Sequence, residues 1–117
     1  MATGILFTGA PAATTAYTAY TVPTTTYTVC NISCTNTGTT AATIRIYIGT
    51  SLGTAGTPTG SLVPSEAIEY DTVVAPKGVF ERTGLVLSST AGAKYIVVYS
   101  SSGNVNFNIY GIETSTT

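Results

Sequence analysis

The sequence predicts an all-β fold, an antiparallel two-sheet β-sandwich of jelly-roll or immunoglobulin-like type. Threonine supplies about a fifth of the 117 residues and eight tyrosines accompany it, and both residue types favour the pleated surface of a sheet. Strand-like segments recur about every dozen residues between turn residues, which is the spacing typical of sandwiches and barrels. Hydrophobic residues make up 44% of the chain and charged residues only 8%, a balance that excludes a typical disordered protein.

The chain is long enough for one domain and too short for two. Residues 1–16 are small, polar and rich in threonine, without a long hydrophobic period, and they predict an extended N-terminal arm. Residues 17–113 hold the predicted strands, about seven to eight of them, and form the sandwich domain. Residues 114–117 form a short polar tail.

The first two predicted strands cover residues 17–22 and 26–35. The first strand is followed by Pro23, a residue that sheets tolerate at a strand end. The second strand ends at residues 36–38, whose Asn-Thr-Gly sequence is typical of a turn. Both boundaries therefore follow from residue types that interrupt a ladder of backbone hydrogen bonds.

The third strand, residues 42–48, shows the clearest alternation in the sequence. Isoleucine occupies every second position from Ile44 to Ile48, so this face is expected in the core. Residues 49–65 are rich in glycine and proline and predict a long loop. Because long loops on compact domains commonly bind partners, we interpret this loop as a contact segment.

The last strands are predicted over residues 66–74, 79–87, 94–100 and 105–112. Thr83 and Gly84 interrupt the second of these strands. The third is apolar on both faces around residues 95–99, and an apolar strand of this kind aggregates when it lies at an edge. We therefore expect it at the centre of its sheet.

Cys30 and Cys34 lie within the second predicted strand and predict two free, buried thiols. At about 3.3 Å per residue, their separation is roughly 13 Å, whereas the Cα atoms of a disulfide lie within about 7 Å of each other. Ile32 lies between them on the same face. The alternative is a metal site built on the Cys-x3-Cys spacing, which lacks a third ligand type nearby.

The charge composition excludes several classes of function. The chain has four Lys and Arg, five Asp and Glu, no His and no Trp. Four scattered cations do not form the basic surface of a nucleic-acid binder, and the usual zinc enzymes and Ser-His-Asp hydrolases require imidazole. No segment approaches the ~20 apolar residues of a membrane span, and no positive start marks a signal peptide. We expect a protein made in the cytosol, with no cofactor, no metal and no membrane contact.

Paired carboxylates are the strongest catalytic candidate in the sequence. Glu69 and Asp71 are expected to share a strand face about 6.6 Å apart, and such a pair can hydrolyse glycans. The alternative, which we favour, is a solvated face that keeps the strand soluble, so we assign no catalytic residue. Glu81 and Arg82 point to opposite faces of their strand and so do not pair with each other if the strand is extended; a bridge from one of them to a neighbouring strand or subunit is the alternative.

The second half of the chain carries AIEYD (residues 67–71), GVFERTGLVL (78–87) and NVNFNIYGIE (104–113), and the first half carries YTV (27–29). Together with their surroundings, roughly residues 17–113, these segments resemble small virion structural proteins of tailed bacteriophages, particularly those of cyanobacteria and marine bacteria. The resemblance implies a β-sandwich virion component. It is either a capsid decoration or cement protein, or an element of the neck, baseplate or fibre.

Our preferred hypothesis is a non-enzymatic decoration protein that assembles as a homo-oligomer, a trimer, in the host cytoplasm. It would clamp the major capsid protein, or another virion structural protein, because a ring of three copies matches the three-fold axes of a shell. The alternative is a tail or baseplate module that touches host glycans through its tyrosines. The apolar residues of the arm and the loop that are expected to make these contacts are Ile5, Leu6, Phe7, Leu52, Leu62 and Val63.

Overall fold

The computed structural model describes residues 3–49, 53–54, 57–58, 64–90 and 94–116. Within these ranges no helix is long and apolar enough to span a membrane. A single 3-10 turn among the described residues covers Pro64–Glu66. The strands are β1 (Thr3–Gly9), β2 (Tyr17–Thr21), β3 (Thr26–Asn36), β4 (Ala42–Gly49), β5 (Gly53–Thr54), β6 (Thr57–Pro58), β7 (Ala67–Val74), β8 (Val79–Ser88), β9 (Tyr95–Ser100) and β10 (Val105–Ser115).

Eight of these strands form two four-stranded antiparallel sheets packed around one core. The first sheet has the order β1-β10-β3-β8 and the second has the order β2-β9-β4-β7. Among these eight strands the chain crosses to the other sheet at every connection except the one from β4 to β7, which are neighbours. This is the jelly-roll arrangement of two Greek keys. The predicted two-sheet sandwich is therefore confirmed, and its topology is jelly-roll rather than immunoglobulin-like.

The core is built from alternate residues of the strands. Every second residue of β3 is buried, and Phe107 and Ile109 of β10 have no exposed surface. From the other sheet, Ile44 and Ile46 are fully buried, and Ile48 packs against the same cluster, as the alternation in β4 predicts. Each fully buried side chain of this size stabilises the fold by about 1.5–3 kcal/mol relative to an exposed one.

Tyr20 carries a polar group across the core from the second sheet to the first. Its Oη lies 2.8 Å from Thr28 Oγ1 on β3 and donates a hydrogen bond to Glu113 Oε2 on β10 at 2.5 Å. A buried hydroxyl without a partner costs about 1–3 kcal/mol, so these bonds favour one alignment of the two sheets.

The N-terminal residues differ from the expected arm. Thr3–Gly9 forms β1, an edge strand that pairs with β10. The register shifts between Ile5 and Phe7 because Leu6 is an extra residue in β1. This bulge lets the neighbours Leu6 and Phe7 both pack against the core. Because two consecutive residues then face the core, the sequence of β1 does not alternate as a regular strand would.

The C-terminal boundary of the sandwich also differs from the prediction. Residues 114 and 115, expected in a polar tail, belong to β10 and pair with residues 27 and 26 of β3. A strand of threonine and serine is held there by backbone hydrogen bonds, which polar side chains do not prevent. The tail prediction is therefore wrong for these two positions.

The central position predicted for the apolar strand is confirmed. β9 lies between β2 and β4, and Ile96, Val97 and Val98 have no exposed surface. Both faces of this strand are covered, which explains why its sequence does not alternate.

Every register shift in the two sheets lies on an edge strand. In the first sheet, β1 has one extra residue, Leu6, and β8 has one beside Gly84. In the second sheet, β2 has one extra residue, Ala19, and β7 has two, Ile68 and Asp71. The central pairs β10–β3 and β4–β9 show no shift. Because bulges twist an edge and interrupt its row of backbone hydrogen-bonding groups, these edges resist the addition of another strand.

Candidate interaction surface

The outer face of the first sheet carries a row of exposed aliphatic side chains. Because alternate residues of β3 are buried, Val29 points away from the core, and the register places it beside Ile112 of β10 and Val86 of β8. The exposed fractions are 45% for Val29, 53% for Ile112 and 66% for Val86. We name these three residues the apolar row. Adjacent strands lie about 4.8 Å apart, so the three side chains form one continuous patch.

Larger side chains border the apolar row, and the face then becomes polar. Tyr27 is 40% exposed and lies on β3, two residues before Val29. In the other direction lies Tyr110 of β10, opposite Ile5 of β1, which is 63% exposed. Beyond Tyr110 the next pair on this face is Ser33 and Asn108. The contiguous apolar part of the face therefore lies at one end of the sheet, and Val79 of β8, which is 60% exposed, lies apart from it beside Thr35 at the other end.

A hydrogen bond marks the start of the polar end. Tyr110 Oη donates to Glu81 Oε2 at 3.1 Å, and this bond raises the pKa of Tyr110. Since β3 lies between the strands that carry these two residues, the bond spans three strands beside the apolar row.

The described residues that are predicted to make contacts, Ile5, Leu6 and Phe7, do not lie on one surface. Ile5 is exposed beside the apolar row, whereas Leu6 and Phe7 are partly buried and pack against the core. The ring of Phe7 lies 5.7 Å from the ring of Tyr17 on β2, measured between centroids, and closes the sandwich at this edge. The other predicted contact residues, Leu52, Leu62 and Val63, lie outside the described residues.

A cavity of about 160 Å³ lies at the same edge, where β1 leads into the connection to β2. Its lining offers two aromatic rings and small side chains, without a pair of groups suited to acid–base catalysis. The lining residues are Phe7, Thr8, Gly9, Ala10, Pro11 and Tyr17.

Glu69 and Asp71 do not share a face, so that prediction is wrong. Asp71 is an extra residue in β7 with a φ of +55°, and its Oδ1 lies 2.7 Å from Arg45 Nε. Glu69 instead accepts hydrogen bonds from Arg82 Nη1 at 2.9 Å and from Thr72 Oγ1 at 2.7 Å. Each carboxylate is held by a different arginine, and the two are not brought together as a general acid and base.

The ion pair between Arg82 and Glu69 joins the two sheets, since Arg82 belongs to β8 and Glu69 to β7. Of the two alternatives for the Glu81–Arg82 pair, Arg82 thus reaches a neighbouring strand. The Arg82 side chain is 43% exposed, and ion pairs this accessible contribute about 0–1 kcal/mol. The pair mainly aligns the edges of the sandwich.

On the outer face of the second sheet, Arg45 lies between two tyrosine rings. Its guanidinium carbon is 4.3 Å from the centroid of Tyr70 and 4.8 Å from that of Tyr99. The hydrogen bond to Asp71 raises the pKa of Arg45 above its ordinary range. We name Arg45, Tyr70, Asp71 and Tyr99 the arginine cluster. Tyr70 is 51% exposed, so part of the cluster faces solvent.

Cys30 and Cys34 are free and buried, with Ile32 between them on the core side of β3, as predicted. Burial raises the pKa of Cys30 to about 11, and burial together with the charge of Glu69 raises that of Cys34 to about 12. A thiol that stays protonated is a poor nucleophile and metal ligand. Across the described ranges no three His, Cys, Asp or Glu side chains are grouped to hold a metal ion.

The apolar row could not be located from the sequence because it depends on strand order. Alternation places Val29, Val86 and Ile112 on outward positions of their own strands. Nothing in the sequence indicates that β3 lies between β8 and β10. The signal that the sequence does carry for this surface is an aliphatic residue at an outward position in each of three predicted strands.

Comparisons of the chain with protein-family models, with curated proteins and with solved structures find no match. The apolar row and the arginine cluster are therefore interpreted from their own chemistry and from their positions on the sandwich.

Proposed function

We propose that this chain is a non-enzymatic structural protein of a tailed-bacteriophage virion, a capsid decoration or cement protein that binds the major capsid shell as an oligomer. The apolar row is the observation that carries the proposal, since contiguous exposed apolar surface commonly marks an interaction site. The assignment to a tailed-bacteriophage particle rests on the resemblance of roughly residues 17–113 to small virion structural proteins of these phages. The trimer remains the preferred oligomer because a closed ring of three matches a shell axis.

The edge strands favour attachment through a face. Bulges interrupt β1, β2, β7 and β8, so a partner strand would find no regular edge to extend. The outer face of the first sheet is regular beneath the apolar row, because β10 and β3 pair there without a register shift. A regular, partly apolar face can be buried against a partner with little rearrangement of its strands.

The energy available from the apolar row suits a protein used in many copies. Covering three half-exposed aliphatic side chains yields about 3 kcal/mol by area, which alone gives weak binding. An oligomer that engages several sites at once multiplies such weak contacts. With 8% charged residues, this attachment is expected to depend little on salt.

The fold adds support by analogy. Jelly rolls serve as viral capsid domains and as lectin domains. Because one fold hosts many functions, the analogy raises the plausibility of a virion role without identifying the partner.

Two matched substitutions test the proposal. Val86 in the apolar row and Val73 on β7 of the second sheet are both 66% exposed. We expect Val86→Lys to weaken binding to capsids assembled without this chain at least tenfold, because the new charge would be buried against the shell. Val73→Lys should bind as the unchanged protein does. Equal binding by both variants would contradict the use of this face.

A tail, neck, baseplate or fibre role that includes contact with host glycans is the second candidate. The arginine cluster favours it, because an exposed tyrosine beside an arginine and a carboxylate suits the ring faces and hydroxyls of a sugar. Copy number separates the two functions. Quantitative mass spectrometry of purified particles should give a number close to that of the major capsid protein for a decoration protein, and far fewer copies for a tail component.

A further inference from the structure

We propose that β1 is exchanged between copies of this chain, so that Thr3–Gly9 of one copy pairs with β10 of another. The inference concerns how copies join one another and does not rest on the virion proposal. Its failure would leave the use of the apolar row untouched.

β1 is the most weakly anchored strand at the edge of the first sheet. Every residue of the strand is exposed or only partly buried, and among its side chains Leu6 and Phe7 pack against the core. Since detachment removes little buried surface, local opening of β1 costs far less than unfolding of the sandwich.

Detachment of β1 would uncover a regular edge. β10 pairs with β3 along its whole length without a register shift, so its other side presents an uninterrupted row of backbone groups. A bare edge of this kind recruits another strand. β1 of a second copy fits this edge, because its register against β10, its bulge at Leu6 and the core contacts of Leu6 and Phe7 are already those of the closed chain.

The connection between β1 and β2, residues 10–16, can serve as the hinge. Thr14 has a φ of +56°, a conformation that is strained for a β-branched residue. Its backbone nitrogen donates to Ser100 O at 2.8 Å, which holds the closed turn. In extended form the connection reaches roughly 20 Å, and Thr14 relaxes. Because β1 makes the same contacts in both arrangements, the hinge and the protein concentration decide between them.

Single cysteine variants of the full chain test the exchange. Ile5 and Tyr110 are register partners on the outer face. One batch carries Ile5→Cys and an affinity tag, and the other carries Tyr110→Cys without a tag. The two batches are unfolded, mixed, refolded together and treated with a short thiol-specific cross-linker at pH 8. The native thiols, Cys30 and Cys34, are buried and protonated at this pH and react slowly.

We expect a tagged–untagged cross-linked dimer whose yield rises with protein concentration. In the double variant at low concentration, the same cross-link should form within one chain. Failure of the dimer to form at any concentration, while the double variant cross-links internally, would overturn the exchange. Mixing Ile5→Cys with Val73→Cys, which lies on the other sheet, measures cross-linking by random collision.

A second register pair, Thr3 and Ile112, repeats the experiment at an independent position. If neither pair cross-links within a chain or between chains, β1 does not pair with β10 in solution, and the proposal is also lost.

Two variants of the connection between β1 and β2 test whether backbone strain at Thr14 drives the exchange. Thr14→Gly should lower the exchanged fraction severalfold, because glycine accepts a positive φ and stabilises the closed turn. Thr15→Gly adds the same backbone freedom next to it without relieving a strained residue and should not lower that fraction. Equal exchanged fractions in the two variants would show that strain at Thr14 does not drive the exchange.

Discussion

Gly111 occupies the tightest point between the two central strands of the first sheet. A Cβ at this position would overlap the carbonyl oxygen of Val29 and lie 2.6 Å from Cys30 Cα. Both are backbone atoms within a regular ladder, so they cannot move aside as a flexible side chain would. Glycine is therefore required here for packing, although a residue without a side chain otherwise weakens a strand.

Gly111→Ala is expected to destabilise the fold by about 3 kcal/mol, because the added methyl forces β10 and β3 apart. Urea unfolding followed by circular dichroism measures the change. Gly103→Ala is the matched control, since a Cβ there meets its nearest atom, Ala13 N, at 3.9 Å, and its expected effect is within about 0.5 kcal/mol. Similar losses in both variants would contradict the crowding at Gly111.

Single residues also show where sequence reasoning succeeds and where it fails. The thiols of Cys30 and Cys34 were placed correctly because both lie in a strand that alternates without interruption. The shared face of Glu69 and Asp71 was wrong because Asp71 is itself the extra residue of a bulge. A rule of period two places side chains correctly only where the strand is regular.

At the scale of elements, β8 shows how an edge strand is kept irregular. Arg82 pairs with Ile32 of β3, Leu85 pairs with Cys30 of β3, and both of these partners face the core. Arg82 and Leu85 are nevertheless three positions apart along β8. A regular strand returns to the same face only after an even number of steps. One residue is therefore extra, and Gly84 accommodates it with a φ of +73°.

Deletion of Gly84 is expected to make β8 regular without turning any core residue outward. The straightened edge should then pair with other copies, seen as increased light scattering and thioflavin T fluorescence at high protein concentration. Gly84→Asn keeps the extra residue and tolerates the positive φ, so it should stay dispersed. If the deletion variant stays equally dispersed, the bulge does not protect this edge.

The elements differ in how well the sequence predicts them. The interruption at Thr83 and Gly84 was visible because a glycine breaks the pattern there. β1 was missed because the consecutive apolar residues Ile5, Leu6 and Phe7 fit neither an alternating strand nor a helix. The bulge at Leu6 makes this pattern compatible with an edge strand, and a bulge leaves no unambiguous signal in the sequence.

At the scale of the whole molecule, the sequence predicted the two-sheet sandwich but not the order of its strands. Alternation fixes which residues face the core, whereas strand order depends on contacts between residues far apart in the chain. The jelly-roll order follows only once β1 is counted as the first strand. For the same reason the apolar row, which needs β8, β3 and β10 side by side, appears only in the folded chain.

The stability of the whole molecule is expected to fall in alkali. The folded-state pKa values of Cys30 and Cys34, about 11 and 12, exceed the roughly 8.5 of an unfolded thiol. Protons therefore leave the unfolded state first as the pH rises. The contribution of each thiol to the free energy of unfolding is constant below about pH 8 and should drop by about 2 kcal/mol by pH 10. Burial also raises the pKa of Tyr20, in the same direction.

Urea midpoints measured from pH 7 to pH 10 check this expectation. The variant Cys34→Ala removes one of the two thiols and should lose less stability over the same range. If it loses as much as the unchanged protein, the buried thiols are not responsible.

The antiparallel register of β1 and β10 also determines how the molecule responds to force. Thr3 lies opposite Ile112, so the beginning of the first strand and the end of the last meet at one end of the sheet. Tension applied between these two ends loads the backbone hydrogen bonds one after another, as in opening a zipper, instead of all together. The sandwich therefore yields at that seam under a small pull, and the remaining strands stay folded while β1 peels away.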